Sequence, residues 1–450
     1  MNRSYAKART RALPDVVLPE PRIRPAVLRL ARLLSWPYLR FGLGYAGVEL
    51  RHPERLVEAF RAFMSGETRL IVAFRHPFVD EPQVLGWVFL RGVQREARRL
   101  DIQLPRQPHA LFVHGYEVPR WSGFLVRWLL PRMGAMPVHH AKIDLEGMAR
   151  IRAVIADGPY PLTLAPEGQA SYASDRVPRL EAGTMRLGFE AASNLDKAGR
   201  PEHVMVLPLS VHRQYGPKAE RSLKRLVRRL EAFVGLATMD GRNEDRKSRL
   251  LVLRDELIGR AEALYSLKPA LGVTPDERLA TVVDSAIETG ERILGISRGA
   301  GDGDGIERVY RIRQVGWDRI YVRPDPRALS ALDRAVVDRR AGEAWYAMRH
   351  MELADFAWYF RTEPPETSAP LDLVIEYTQN LWDLANRLAG GAVSGRKNVR
   401  PMKAILVAAE PIDLSKRLQG YRENRRGAAS EATAALEAAY ISCIEEIRRG

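Results

Sequence analysis

The chain has 450 residues, of which 46% are hydrophobic and 28% charged, a composition that excludes a disordered protein and leaves room for two or three domains. Its 70 lysines and arginines against 55 acids give a net charge of +15, which attracts the phosphates of nucleic acids, lipids or soluble cofactors. The single cysteine, Cys443, excludes an internal disulfide framework and cysteine-based metal sites, so a reducing, cytoplasmic compartment is expected.

Residues 1–50 predict a polar tail followed by an amphipathic helix. Val27, Leu30 and Leu34 share one helical face, whereas the arginines fall elsewhere. Such a helix is typical of proteins that lie on a membrane, and a helix packed in the core fits the pattern equally well. No run reaches the roughly 18 apolar residues that span a bilayer, so we expect a cytoplasmic protein, peripheral on the inner face of the cell membrane.

Short apolar runs alternate with helical patterns between residues 70 and 209. The runs predict buried strands at 70–74, 110–114, 161–165 and 203–211. Residues 146–158 follow a helical period that ends at an Asp-Gly pair. This alternation predicts an α/β fold with a mostly parallel sheet flanked by helices.

Helical patterns rich in arginine and glutamate follow this region. A strand pattern returns only at 403–414 and is followed by a helical pattern at 430–447, which indicates that the C-terminal part completes the sheet. We therefore predict three parts: an N-terminal tail and amphipathic helix over 1–50, an α/β domain over 51–215 plus 400–450, and a large helical insertion over 216–399.

Polar or glycine-bearing blocks accompany the predicted strands. They read HPFVDEP at 76–82, GAMPVHH at 134–140, APEGQAS at 165–171 and VLPLSV at 206–211. Because open α/β sheets bind ligands beyond the carboxyl ends of their strands, several such blocks together indicate a site there. A histidine beside acids is, by itself, more often a surface hydrogen bond, so the combination of blocks carries the inference.

In this order and spacing the four blocks resemble the glycerol-3-phosphate and lysophosphatidic acid acyltransferase superfamily. The resemblance covers about residues 55–215 and implies the glycerolipid acyltransferase fold. It also implies that His76 is a general base, oriented by an acid on its far ring nitrogen. Glu81 stands where the family has an aspartate, and Asp80, one place earlier, is kept as the alternative orienting acid.

The resemblance also implies how the acceptor and the developing oxyanion are held. Glu167 and Gly168 are expected to bind the acceptor, with His140 in the place of a family arginine. Arg75, Arg132, Arg176, Arg179 and Arg186 are the candidates to replace the lost positive charge. The backbone turns at Gly134 and Gly168 are expected to stabilise the oxyanion.

The implied activity moves a fatty acyl group from acyl-CoA or acyl carrier protein to a hydroxyl of a glycerolipid-type acceptor such as lysophosphatidate. No metal, no cofactor and no nucleic-acid partner is expected, because no fitting motif or module is recognised. Residues Trp121, Phe124, Leu125 and Trp128 form an apolar stripe near arginines, which fits contact with an anionic membrane or a core helix. The alternative function is a membrane-associated scaffold or lipid-binding protein on a degenerate acyltransferase fold.

Overall fold

The computed structural model describes residues 10–17, 20–139, 144–236, 246–268, 271–297, 304–391 and 393–449. The chain divides into two compact units, one of residues 18–214 and 401–450 and the other of residues 1–17 and 215–400.

The strands, numbered along the chain, are β1 (Leu13–Pro14), β2 (Tyr45–Arg51), β3 (Thr68–Phe74), β4 (Leu111–Gly115), β5 (Met136–Val138), β6 (Leu162–Leu164), β7 (His203–Gln214), β8 (Tyr321–Val322), β9 (Met402–Ala408) and β10 (Ile412–Asp413).

The helices are α1 (Pro25–Pro37), α2 (Pro53–Met64), α3 (Glu81–Trp87), α4 (Val93–Arg99), α5 (Val118–Trp121), α6 (Phe124–Arg132), α7 (Leu145–Asp157), α8 (Gly183–Lys197), α9 (Glu220–Val234), α10 (Arg246–Leu264), α11 (Pro275–Leu294), α12 (Gly305–Ile320), α13 (Ala331–Tyr359), α14 (Leu371–Leu388), α15 (Leu418–Glu423) and α16 (Arg425–Arg449). A π-helical turn at Tyr38–Leu43 continues α1, and another at Val88–Gly92 joins α3 to α4.

The first unit is built on one sheet with the strand order β2-β9-β7-β3-β6-β4-β5, and β10 also pairs with β7. Strands β7, β3, β6, β4 and β5 are parallel to their neighbours within this group. Strands β9 and β10 run antiparallel to β7, and β2 runs parallel to β9. The prediction of an α/β fold with a mostly parallel sheet is therefore confirmed, and the C-terminal part of the chain does contribute strands to it.

Strand β3 is apolar and buried from Leu70 to Phe74, after the half-buried Thr68 and Arg69, because helices pack on both faces of the sheet. Ile71 and Ala73 point toward α7, α8 and α16, in one core with residues such as Tyr440. Phe74 points the opposite way and packs on Phe112, with ring centroids 6.3 Å apart. Side chains alternate between the two faces of a strand. The side chains of Arg75 and His76, which follow β3, are therefore expected to point to opposite faces of the sheet.

The second unit is mainly helical and contains α9 to α14. Helices α11, α12 and α13 pack together through buried apolar residues, among them Val282, Ile312 and Ala347. Thr274 and Glu277 form a reciprocal capping box at the start of α11, which satisfies amide groups that have no partner within the helix. A short parallel pair of strands, β1 and β8, completes this unit.

Candidate active site

A histidine–glutamate pair lies just after β3. Nδ1 of His76 is 2.8 Å from Oε2 of Glu81, the first residue of α3. The amide of Phe78 donates a hydrogen bond to the other carboxylate oxygen, Oε1, and the Glu81 side chain is only 1% exposed. When Nδ1 carries the proton that it donates to Glu81, Nε2 is left with a lone pair. The His76 side chain keeps 21% of its surface exposed.

The charges around His76 favour a proton on its ring. Burial of the ring opposes the charged form, but the carboxylates of Glu81, Glu167 and Asp80 outweigh that effect and raise the pKa of His76 above its ordinary value. The neutral imidazole, which is the form that accepts a proton, therefore predominates only at a higher pH than for an isolated histidine.

Asp80 has a different partner from Glu81. It is buried, and the guanidinium of Arg213 donates a hydrogen bond to its Oδ1 atom. Of the two acids that the sequence left open, Glu81 is the one that orients His76, and the prediction of Asp80 as the alternative is corrected. Asp80 points elsewhere because Arg213, far along the chain, provides a buried charge that needs an acid.

Arg75 and Glu167 form a sealed ion pair rather than a binding surface. Nε of Arg75 is 3.2 Å from Oε1 of Glu167, and neither side chain has any exposed surface. The other guanidinium nitrogens of Arg75 donate to the carbonyl oxygens of Ala173, Ser174 and Arg176. The predicted contacts of Arg75 and Glu167 with an acceptor are therefore corrected: the pair holds the segment 167–176 against the end of β3.

Neither of the two glycine turns that were predicted to stabilise the oxyanion is placed to do so. Gly168 has a left-handed φ of +74°, and its amide donates to the carbonyl of Ala165 at 3.1 Å, so it is not available to an oxyanion. Gly134 precedes β5 and packs against Leu111, where β4 begins. Because β4, β5, β6 and β3 are parallel, Gly134 lies at the amino edge of the sheet and His76 at the carboxyl edge. Both oxyanion assignments are corrected for these reasons.

The segment after Gly168 does lie beside the histidine. The amide of Ser171 donates to the carbonyl oxygen of His76 at 2.9 Å. The turn that carries Glu167 therefore borders the histidine through its backbone, while the glutamate side chain is paired with Arg75. His140, the remaining predicted acceptor contact, lies outside the described residues.

Sequence reasoning missed Arg213, Tyr45 and the ring of Phe78, which surround Asp80. The Arg213 guanidinium lies 4.0 Å above the Phe78 ring, and its Nε is 3.3 Å from the hydroxyl of Tyr45. The available signal was a charged residue inside an otherwise buried strand pattern. Arginine is almost never fully buried unless it is paired, so its presence there requires an acid nearby.

Exposed apolar side chains lie on α1 and α6. Phe124 is 79% and Phe41, just after α1, is 80% exposed, and further exposed residues are Leu30, Leu33, Leu34, Trp121 and Leu125. The chain before α1 is bonded to the end of α6, since the amides of Arg22 and Arg24 donate to the carbonyls of Pro131 and Arg132. Of the predicted stripe, Phe124 and Leu125 on α6 and Trp121 on α5 are exposed, whereas Trp128 is half-buried. No described helix is both long and apolar enough to cross a bilayer.

A cavity of about 590 Å³ opens between α16 and the segment that links β9 to β10. Its lining includes Arg55, Glu410 and Cys443 but neither His76 nor Glu81. Arg55 pairs with Glu410 at 2.7 Å, so these two charges satisfy each other. The cavity is thus separate from the histidine pair.

Comparison with protein-family models, with curated proteins and with solved structures finds no match to this chain. An assignment of function consequently depends on the geometry of the histidine site and on the motifs of the sequence.

Proposed function

We propose that the chain is an O-acyltransferase that moves a fatty acyl group from an acyl thioester, on CoA or acyl carrier protein, to a hydroxyl of a glycerolipid-type acceptor such as lysophosphatidate. The observation that carries the proposal is the His76–Glu81 hydrogen bond at the carboxyl end of β3, with a buried acid and a partly exposed imidazole. The four sequence blocks that resemble the glycerolipid acyltransferases support the choice of reaction and of fold.

In this reaction Nε2 of His76 removes the proton from the acceptor hydroxyl as its oxygen attacks the thioester carbonyl. Glu81 stabilises the imidazolium that forms. The tetrahedral intermediate then collapses, the C–S bond breaks, and the departing thiolate takes the proton from His76. General-base assistance of this kind contributes about 10²–10⁴ in rate, and the positioning of the two substrates supplies much of the rest.

The apolar surface on α1 and α6 fits a protein that meets lipid substrates at an anionic bilayer. Arginines 29 and 40 are exposed beside the apolar residues of α1, and the sequence has no acidic residue between positions 21 and 48. Apolar anchors with basic neighbours favour binding at the interface of anionic membranes. The protein is proposed to lie peripherally on the inner face of the cell membrane.

The reaction is tested by incubating purified protein with acyl-CoA or acyl carrier protein and with lysophosphatidate, and by measuring acylated lipid with mass spectrometry. His76→Ala should lower turnover by about 10²–10⁴-fold because the general base is removed. His203→Ala is a matched control, since His203 also bonds a carboxylate, that of Asp413, at 2.8 Å. Full turnover by folded His76→Ala protein would refute the proposed role.

Membrane contact is tested separately by sedimentation with vesicles. The protein should bind vesicles that contain phosphatidylglycerol more tightly than vesicles of phosphatidylcholine, and Phe41→Asp or Phe124→Asp should weaken binding. Leu332→Asp is the matched control, because Leu332 is an exposed apolar residue of the helical unit. Equal losses in all three variants would contradict the assignment of this surface.

The sealed Arg75–Glu167 pair favours a second candidate, a membrane-associated scaffold or lipid-binding protein on a degenerate acyltransferase fold. In that case the glutamate of the third sequence block serves only the fold. Lipid binding that is retained in His76→Ala, together with no acyl transfer by the unaltered protein, would favour this candidate.

A further inference from the structure

We infer that Arg213 is a positioning residue, which holds the His76–Glu81 pair in its reactive arrangement through Phe78 and Asp80. The inference deepens the proposed function and depends on it for the kinetic part of its test.

The first step is the position of Arg213 on β7. Phe74, the last residue of β3, pairs with Leu209, and β7 continues beyond that point to Gln214. Arg213 therefore lies past the end of β3, alongside the segment that links β3 to α3. It is nearly fully buried, and a buried guanidinium is stable only when it is paired.

The second step is the set of contacts that Arg213 makes in that segment. It bonds Oδ1 of Asp80 and lies 4.0 Å above the ring of Phe78, and Tyr45 supports it from β2. The other oxygen of Asp80, Oδ2, is buried without a hydrogen-bond partner among the residues that the structure describes. Arg213 is thus the ion-pair partner of the Asp80 carboxylate.

The third step is that Phe78 and Asp80 are the residues that place Glu81. The amide of Phe78 donates to Oε1 of Glu81, and Asp80 is the residue immediately before α3. Its carbonyl accepts from Gln83 and Val84, as expected at a helix start, but its side chain caps no amide of the helix. An aspartate at this position usually caps, so the ion pair with Arg213 takes the place of the cap.

Charge adds to this geometric effect. Asp80 and Glu81 are consecutive buried acids, and like charges so close together repel unless one of them is compensated. Arg213 compensates Asp80, which leaves the Glu81 carboxylate free to bond His76. Without Arg213 the start of α3 is expected to rearrange and to move Glu81 away from the ring.

The test compares Arg213→Met, Arg213→Lys and Arg213→Met combined with Asp80→Asn. Arg213→Met should lower kcat by about 10²-fold with little change in the KM for the acyl donor, because a displaced catalytic group loses about that much. Arg213→Lys keeps the charge and should retain more activity. The double variant should recover part of the loss, because it carries no uncompensated acid.

A second readout does not need turnover. The proton shared by His76 and Glu81 should give a downfield signal in the proton NMR spectrum, assigned by its loss in His76→Gln and Glu81→Gln. The signal should disappear or shift in Arg213→Met and persist in Arg213→Lys, and circular dichroism checks that each variant is folded. An unchanged signal and an unchanged kcat in folded Arg213→Met would overturn the inference. An altered signal in a protein that transfers no acyl group would overturn the proposed function and leave the positioning role standing.

Discussion

Two histidine–carboxylate pairs lie at opposite edges of the central sheet, and the distance between nitrogen and oxygen is the same in both. Nδ1 of His76 is 2.8 Å from Glu81 at the carboxyl end of β3, and Nδ1 of His203 is 2.8 Å from Asp413 at the amino end of β7. They differ in burial, since the Glu81 and Asp413 side chains are 1% and 14% exposed, and His203 is 49% exposed. A short distance is therefore common to both pairs, and the surroundings distinguish them.

The two carboxylates differ in their other hydrogen-bond partners and in their exposure to water. The carboxylate of Glu81 is fixed by a second hydrogen bond from the backbone of Phe78 and is shielded from water. Asp413 lies 3.8 Å from the exposed side chain of Lys416 and also accepts from that residue's amide. Exposed ion pairs contribute little because water and salt compete with them. The comparison shows that the acid at the carboxyl edge is shielded and held by two hydrogen bonds, whereas the acid at the amino edge is more exposed and shared with Lys416.

The two ends of β3 each carry an arginine, and the largest expected effect is the loss of stability when the one at the carboxyl end is replaced. Arg75→Leu should lower the free energy of unfolding by about 3–5 kcal/mol, because it leaves the Glu167 carboxylate buried and unpaired. Arg69→Leu is the matched control: Arg69 also bonds three backbone carbonyls, those of Val154, Ile155 and Gly158, but no buried acid. It should lose only about 1–2 kcal/mol, in line with lost hydrogen bonds. Urea unfolding measures both, and equal losses would contradict the distinction.

The next effect concerns the acids of the two histidine pairs. Glu81→Gln should lower turnover by about 10²-fold, near the lower limit for general-base assistance, because the neutral amide no longer stabilises the imidazolium. Asp413→Asn should leave turnover unchanged, since its histidine lies at the opposite edge. Steady-state acyl transfer by the two variants measures the difference. A comparable loss in Asp413→Asn would break the comparison.

A third histidine, His212 on β7, provides a test of burial without a carboxylate. Burial lowers the pKa of His212 to about 3, with the charges of Arg75 and Arg51 acting in the same direction, and Ser210 is its hydrogen-bond partner. In the folded protein His212 therefore stays neutral at a pH at which it is protonated in the unfolded chain, where its pKa is about 6.5. Stability should fall as the pH falls below that value, by about 2 kcal/mol between about pH 7 and pH 5. His212→Gln should lack this part of the pH dependence in urea titrations.

The smallest effect is a shift of the pH profile. Because the neighbouring acids raise the pKa of His76 above about 6.5, kcat/KM should fall as the pH decreases through a midpoint above that value. Glu81→Gln should move the midpoint to lower pH, since it removes one of the charges that hold the proton. His203→Gln should leave the midpoint where it is. A midpoint at or below that of an isolated histidine would contradict the arrangement of charges around His76.

The sequence predicted the inner strands well and the edge of the sheet poorly. The four apolar runs correspond to β3, β4, β6 and β7, because each of these strands carries buried apolar residues. Strand β2 was missed, although its alternation of apolar with charged and glycine residues is itself typical of a strand at the edge of a sheet. Strand β5 was missed because Pro137 interrupts its short apolar run.

The site shows the same division between local and distant information. Glu81 follows His76 by five residues, so the short spacing alone places both of them at the turn into α3. Arg75 and Glu167 are 92 residues apart, and Asp80 and Arg213 are 133 residues apart. No local pattern could tell that the first pair is sealed or that the second diverts Asp80 from the histidine.

The sequence by itself therefore determined where the buried strands lie along the chain, because hydrophobic periodicity reveals them. It also determined that a histidine and an acid stand at the end of one strand, because they are close in sequence. Only the tertiary structure decided which acid orients the histidine, which charges are buried together and which glycine lies at which edge. These depend on the direction of each strand and on the face to which each side chain points, and both are set by partners from distant parts of the chain.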